Sequence, residues 1–450
     1  MKHQTKAILG GFIGNIVEAY DISICYFLSS EISRVLLGND KGNPTVVLGL
    51  IFLAYLAKPI GAFILGLFSD LYGRKNVLMF SILIMGFSTA LIGLIPGYQQ
   101  IGLCSALLLL LLRTVQSMAL GSEFLNSASF LVESGDLKQR GFRGCWPSVG
   151  VKGGYLVACV VVEAVHYANQ FYPEADWFWR IPFILAAFTT IIGFYIRSGM
   201  PESLAYIVYY ADRAKPTTAM IYRQSIEFVK KSPFLFNYAF FASFLSVATG
   251  FFFYLYIPLH ALQYSHLSHS FIIASTTASL AFVTVLIPLF GWISDKLDRL
   301  KMLAFATSGL LVMAYPFMQA VNFGQASYFL LMQMAISIPC ACYYSVSSVL
   351  LTELFPLQIR CTALSIVFSI AASLAAGVPP LLADYLSRTT QEPNSPALIM
   401  IFLATAVLIN IAILTKRYRL SKNHYKNIDL HESDKIFTIY YQKTGQKTVS

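Results

Sequence analysis

Twelve stretches of about 20 residues, each nearly free of charge, fill most of this chain; they lie near 7–33, 45–69, 77–95, 100–126, 144–167, 178–197, 234–259, 270–293, 302–321, 326–350, 362–386 and 397–416. A helix of about 20 mostly apolar residues crosses a ~30 Å hydrocarbon core. Charged residues make up only 12% of the 450, against about 25% in a soluble protein, so no soluble surface can be built. The reading is an all-α polytopic membrane protein, with twelve transmembrane helices in two six-helix bundles. The start, MKHQTKAILGGF, resembles a signal peptide, but Glu18 and Asp21 interrupt the run and no small-residue cleavage site follows. It is read as an uncleaved first span.

The long polar interruption at 198–233, carrying Pro201-Glu202-Ser203, divides the chain. It gives an N-terminal bundle at 1–197, a linker at 198–233, a C-terminal bundle at 234–418 and a polar tail at 419–450 with no sustained heptad. Lys and Arg alternate sharply between loops: seventeen on one side before the tail's eight, and four on the other. By the positive-inside rule both termini face the cytoplasm. The net charge of +10 is therefore a topology signal, and no nucleic-acid partner is expected. Trp177, Trp179 and Trp292 suit interfacial belts. Cys25, Cys104, Cys159, Cys340 and Cys342 sit in apolar runs without metal-ligand spacing, and His260, His266 and His269 are read in an outer loop, so no metal is expected.

One short phrase occurs twice. GLFSDLYGRK starts at Gly66 and GWISDKLDRLK at Gly291, 225 residues later, each with Asp after four residues and Arg after eight. Both fall in equivalent cytoplasmic loops if the second half repeats the first. A parallel repeat of six-helix halves is a transporter architecture with its site near the midplane between them. The glycine allows close helix approach, the Asp (Asp70, Asp295) can cap the following turn or pair with a base, and the Arg (Arg74, Arg299) anchors the loop. With Gly73 and Lys75, these residues form a candidate gate.

Charges inside the membrane persist only when paired or wetted. Glu18 and Asp21 lie three residues apart in span 1, and Arg113 lies in span 4. Two carboxylates so close oppose each other's ionisation, and a movable Arg113 changes how tightly they hold a proton. These three are the candidate proton-coupling residues; the alternative is a structural pair network. Lys152 is a candidate for a substrate carboxylate or a partner for an acidic residue, and Lys58 is read as part of the gate or as snorkelling. Glu163 and His166 lie near the outer end of span 5. Tyr254, Tyr256, Tyr343 and Tyr344 offer hydroxyls and ring faces able to cradle a quaternary ammonium, or simply pack.

Several stretches resemble the metabolite:proton symporter branch of the major facilitator superfamily: GNIVEAYDISICYF (14–27), LAKPIGAFILGLFSDLYGRK (56–75), RTVQSMALGSEF (113–124), RGFRGCWPSVG (141–150), WRIPF (179–183), MPES (200–203) and ELFPLQIRCTALS (353–365). The resemblance spans roughly 8–415. It implies a cavity lined by spans 1, 4, 7 and 10, a span-4 RxxQ (Arg113, Gln116) linked to proton coupling, and cavity roles for Tyr20 and Gln116. Relative to the family pattern, Leu71 replaces a basic residue, Lys58 an Arg, Ser117 a Gly, and Lys152 an uncharged residue.

The expectation is a proton-coupled importer, presumed monomeric, in a bacterial inner membrane, driven by the proton gradient without a cofactor. Lys58, Arg113 and Lys152 favour a di- or tricarboxylate; the tyrosines keep a proline- or betaine-type zwitterion as the alternative. An antiporter is disfavoured because span 5 reads VGVKGG (149–154) without the exporter's Pro. No nucleophile elbow, Walker loop or metal-ligand spacing supports an enzyme or an ATP-driven pump.

Overall fold

The computed structural model describes residues 2–38, 45–133, 137–171, 177–203, 206–207 and 217–420. The tail from 421 on and the linker stretch 208–216 lie outside the described residues, so the readings placed on them stay as expectations. Twelve spans cross: Ile8–Phe27, Val46–Tyr72, Arg74–Gly93, Cys104–Glu133, Arg140–Asn169, Phe178–Ser198, Pro233–Tyr264, His269–Ser294, Arg299–Phe323, Ala326–Leu354, Arg360–Thr390 and Ala397–Lys416. They are numbered 1 to 12 below.

Packing follows the repeat seen in the sequence. Span 1 packs on spans 5 and 6, span 3 on 4 and 6, and span 2 on 4; six spans later, 7 packs on 11 and 12, 9 on 10 and 12, and 8 on 10. The halves meet along two equivalent seams, span 2 against span 11 and span 5 against span 8. Large apolar side chains such as Phe87, Leu107, Ile191, Val285 and Phe402 are exposed on the periphery, where lipid supplies the solvent. Close approach within a half depends on glycine. A Cβ at Gly61 would strike the Met118 carbonyl, and one at Gly121 would strike the Ala62 amide, so spans 2 and 4 cross backbone to backbone.

The structure departs from the sequence reading at several points. Span 1 was expected to run to residue 33, but its helix ends at Phe27 and a second, Ser29–Leu37, continues. The first repeated phrase is not a loop. Helix Lys58–Tyr72 contains Gly66 and Asp70, and only Gly73, at φ +99°, separates it from span 3. That left-handed angle favours glycine, and a Cβ there would meet the Glu202 carboxylate. Of the two courses read for Asp295, the structure shows pairing with a basic residue, Arg299; the cap of span 9 is Asp298, accepting from the Lys301 amide. Trp177 and Trp292 are exposed as expected of interfacial residues, but Trp179 is buried against Phe183. His260 lies on a helix, Ile257–Tyr264, and not in a loop.

Span 7 contains a π-helical turn, Phe252–Tyr256, just before Pro258. Pro258 has no N–H to offer the carbonyl one turn earlier, and the wider turn takes up the mismatch. Such turns are often found beside functional cavities.

Candidate functional site

Three layers stack along the seam between the halves: a charged closure at the basic end, a central cavity, and an aromatic seal beyond it. The basic end is built from the two repeated phrases. Asp70 closes span 2 and accepts from the Thr362 amide (2.8 Å) and hydroxyl (2.7 Å) in the first turn of span 11. Asp295 closes span 8 and accepts from the amides of Gly141 (2.6 Å) and Phe142 (2.9 Å) at the start of span 5. Each carboxylate sits on the positive end of a helix in the opposite half. Gly66 makes the first docking possible, since a Cβ there would lie 3.0 Å from the Cys361 carbonyl.

Three arginines extend the closure. Arg74 faces Asp70 at 3.6 Å and Glu133 at 3.4 Å, and Glu133 also binds Arg360 of the other half at 2.8 Å. Arg299 pairs with Asp295 at 3.2 Å and with Glu353 at 2.8 Å. Glu133 and Glu353 end spans 4 and 10, and the sequence reading missed both. Their signal was the matching position of a lone acid at the close of SFLVE and VLLTE. Lys75 contributes its backbone amide, which donates to Glu202 at 3.2 Å. That gives the Pro-Glu-Ser stretch a task, strengthened by Ser203 donating to Glu133 at 2.6 Å.

The central cavity is lined by Glu18, Lys58, Lys152, Tyr155, Phe251 and Tyr344, among others. Its floor is Phe124 stacked on Phe368, with centroids 5.2 Å apart, and the Ser148 hydroxyl donating to the Tyr344 carbonyl at 2.9 Å. Its roof is Phe251, edge-on to Tyr26 at 5.4 Å and to Tyr55 at 6.2 Å. Both floor and roof join one half to the other.

Glu18 and Lys152 are each only 4% exposed. Glu18 Oε2 has no hydrogen-bond partner. The Lys152 ammonium lies over the rings of Tyr344 (3.9 Å), Tyr155 (5.0 Å) and Tyr254 (5.4 Å), and no carboxylate among the described residues pairs with it. Lys58 sits over the rings of Tyr55 and Phe368, at 5.6 and 5.7 Å. The reading of Lys58 as a gate or snorkelling residue is thereby corrected. Span 2 is buried against span 11 at this depth, so the lysine turns inward.

Glu18 and Asp21 separate. Three residues on a helix differ by about 60° around its axis, enough to aim Glu18 at the cavity and Asp21 at spans 3 and 4. Asp21 accepts from the Thr89 hydroxyl at 2.8 Å, Thr89 accepts from Gln116 at 2.7 Å, and Gln116 accepts from Arg113 at 2.5 Å. Arg113 and Asp21 are thus joined through two neutral side chains and also directly, Arg113 donating to the Asp21 backbone carbonyl at 3.4 Å, beside the cavity rather than in it.

Four expected cavity residues lie elsewhere. Gln116 belongs to the Asp21 relay. Tyr20 donates to the Pro182 carbonyl at 2.8 Å, locking span 1 to span 6. Tyr343 donates to the Ala242 carbonyl at 2.8 Å, locking span 10 to span 7. Tyr256 bonds His260 at 3.2 Å beyond the aromatic seal. Each of the three tyrosine hydroxyls found its partner in a neighbouring backbone carbonyl or ring. Tyr344 and Lys152 do line the cavity, with Tyr254 behind them. Near the far end, His166 lies 3.6 Å from Glu31.

Two family models tile the chain: one described as "Sugar (and other) transporter" over residues 9–232, and one as "Major Facilitator Superfamily" over 239–437. The proline/betaine transporter of Escherichia coli K12 is 28% identical over 98% of this chain and 90% of its own length. A glycine betaine/proline/ectoine/pipecolic acid transporter of Dickeya dadantii is 28% identical over 90% of this chain and 82% of its own. In fold, the chain resembles the proton:xylose symporter XylE (TM-score 0.71, 14% identity, 92% of this chain and 96% of that one) and the Escherichia coli fucose:proton symporter FucP (0.64, 12%, 91% and 97%). With two family models end to end and a twelve-span fold of matching arrangement, the chain belongs to the major facilitator superfamily of membrane transporters.

Proposed function

We propose that the chain is a proton-coupled symporter that imports a small carboxylated zwitterion of the proline or betaine type, with its basic end in the bacterial cytoplasm. One observation carries this reading: the buried cavity between the halves holds an ammonium without a carboxylate, Lys152, and a carboxylate oxygen without a donor, Glu18. Unmatched buried charges are costly, and a ligand bearing both signs satisfies both. The transporters of proline and betaine related along nearly the whole chain support the same substrate type.

The di- or tricarboxylate expectation rested on three cations. Arg113 is withdrawn into the relay with Gln116 and Thr89, and Glu18 offsets one of the two lysines that remain. A cavity of nearly balanced charge suits a zwitterion better than a multiple anion.

Asp21 carries the coupled proton behind the cavity, in the relay that reaches Arg113, while Glu18 stays ionised to receive the ligand's cationic end. Closure alternates between the charged network at the basic end and the aromatic roof. Uptake of labelled proline, betaine, citrate and 2-oxoglutarate into proteoliposomes, with an imposed inward proton gradient, tests the reading. Protonophore-sensitive uptake of proline or betaine is expected. Uptake of citrate or 2-oxoglutarate alone would restore the carboxylate reading, and uptake indifferent to the protonophore would remove proton coupling.

A further inference from the structure

Three tyrosines from three different spans converge on one point in the cavity: Tyr155 of span 5, Tyr254 of span 7 and Tyr344 of span 10. The hydroxyls of the last two are engaged elsewhere. Tyr344 donates to Thr249 at 3.0 Å and Tyr254 lies 3.4 Å from Ser337. Their rings, not their oxygens, therefore meet what lies between them. Rings grouped in this way form a cage for a quaternary or primary ammonium. Here the occupant belongs to the protein. The Lys152 ammonium fills the cage, and Gly250 leaves room for it, since a Cβ at 250 would stand 2.8 Å from Nζ.

We infer that Lys152 is a tethered cation that denies this cage to the cationic end of a ligand and so determines selectivity. The inference rests on the cavity being the substrate site. The ligand's carboxylate is drawn to Lys152, its cationic end is turned toward Glu18, and a cation that lacks a carboxylate finds no place. Two parts of the side chain do separate work: the charge recruits the carboxylate, and the four-carbon stem keeps the cage filled. Removing the whole side chain empties the cage and makes it a receptor for a methylated ammonium. Removing only the charge does not.

The test measures binding of tetramethylammonium chloride, glycine betaine and proline to the purified full-length protein in detergent, by titration calorimetry with thermal unfolding as the fold control. The unaltered protein binds a zwitterion and is indifferent to tetramethylammonium. Lys152→Ala loses zwitterion affinity and binds tetramethylammonium at least about tenfold more tightly than the parent. Lys152→Met, uncharged but of similar length, binds neither, and Tyr344→Leu added to Lys152→Ala abolishes the gained binding.

The inference is overturned if tetramethylammonium binds the unaltered protein or displaces its zwitterion, an arm that needs no variant to fold. It is equally overturned if a cooperatively unfolding Lys152→Ala gains nothing, or if Lys152→Met gains as much. These results are separable from the fate of the proposed substrate. Zwitterion uptake without the cation gain would sink the cage and leave the symporter. The cation gain in a protein that binds no zwitterion would support the cage and sink the substrate.

Discussion

The carboxylate of Asp70 accepts two hydrogen bonds from Thr362, one from its amide at 2.8 Å and one from its hydroxyl at 2.7 Å, across 292 positions of sequence and across the seam between the halves. Asp295 makes the equivalent contact on Gly141 and Phe142. Both depend on an anion at a helix N-terminus, and both join the two halves at the basic end, which makes them the proposed gate.

Asp70→Asn keeps the shape and removes the charge. Hydrogen bonds to a charged group contribute about 1.5–3 kcal/mol, so the population closed at the basic end is expected to fall about ten- to a hundredfold relative to the open one. The check is the rate at which an impermeant maleimide, applied from the basic end, labels Ser148→Cys in a background without native cysteines. An unchanged labelling rate would show that Asp70 does not hold this gate.

Asp21→Asn preserves the volume beside Thr89 and removes the proton proposed to be exchanged there. Accumulation driven by a proton gradient should disappear, while counterflow exchange between preloaded vesicles and medium continues. Gradient-driven accumulation equal to the parent's would assign the proton to another group, with Glu18, the other buried carboxylate of span 1, the next to substitute.

Tyr20→Phe and Tyr343→Phe each delete a hydroxyl that bonds a backbone carbonyl between spans. Each is expected to cost about 0.5–1.5 kcal/mol of stability and to leave the KM for substrate unchanged. A raised KM at a preserved melting temperature would return that tyrosine to the cavity.

Glu123 and Arg197 form a buried ion pair linking spans 4 and 6, and Ser81 of span 3 donates to Glu123 at 2.5 Å. Glu123→Met strands a buried guanidinium, a loss of about 3–5 kcal/mol. Replacing both partners, Glu123→Met with Arg197→Leu, should recover much of it. The measurement is thermal unfolding in one detergent across the single and double variants. A double variant as unstable as the sum of the singles would mean the pair is not coupled.

The spans, the half-chain repeat and the repeated phrases at the seam were legible because each is read from the chain without tertiary contacts. An apolar run long enough to cross hydrocarbon must satisfy its backbone within itself, and a phrase repeated at the same place in two halves marks equivalent positions whatever the tertiary detail. Glu133 and Glu353 could have been read by the same logic, as paired acids closing equivalent spans.

What the sequence by itself determined is the number of crossings, their parallel duplication, and the residue types brought to the basic end at Asp70, Arg74, Asp295 and Arg299. Only the tertiary structure decided which intramembrane charges share the cavity. It put Glu18, Lys58 and Lys152 there, moved Asp21 and Arg113 into a relay, and spent the hydroxyls of Tyr20 and Tyr343 on packing. The reason is rotational. Composition fixes that a helix crosses, but its turn about its own axis is set by where neighbouring helices touch it, as at Gly61 against Met118. A difference of about 60° between positions three apart separates a side chain in the cavity from one buried behind it.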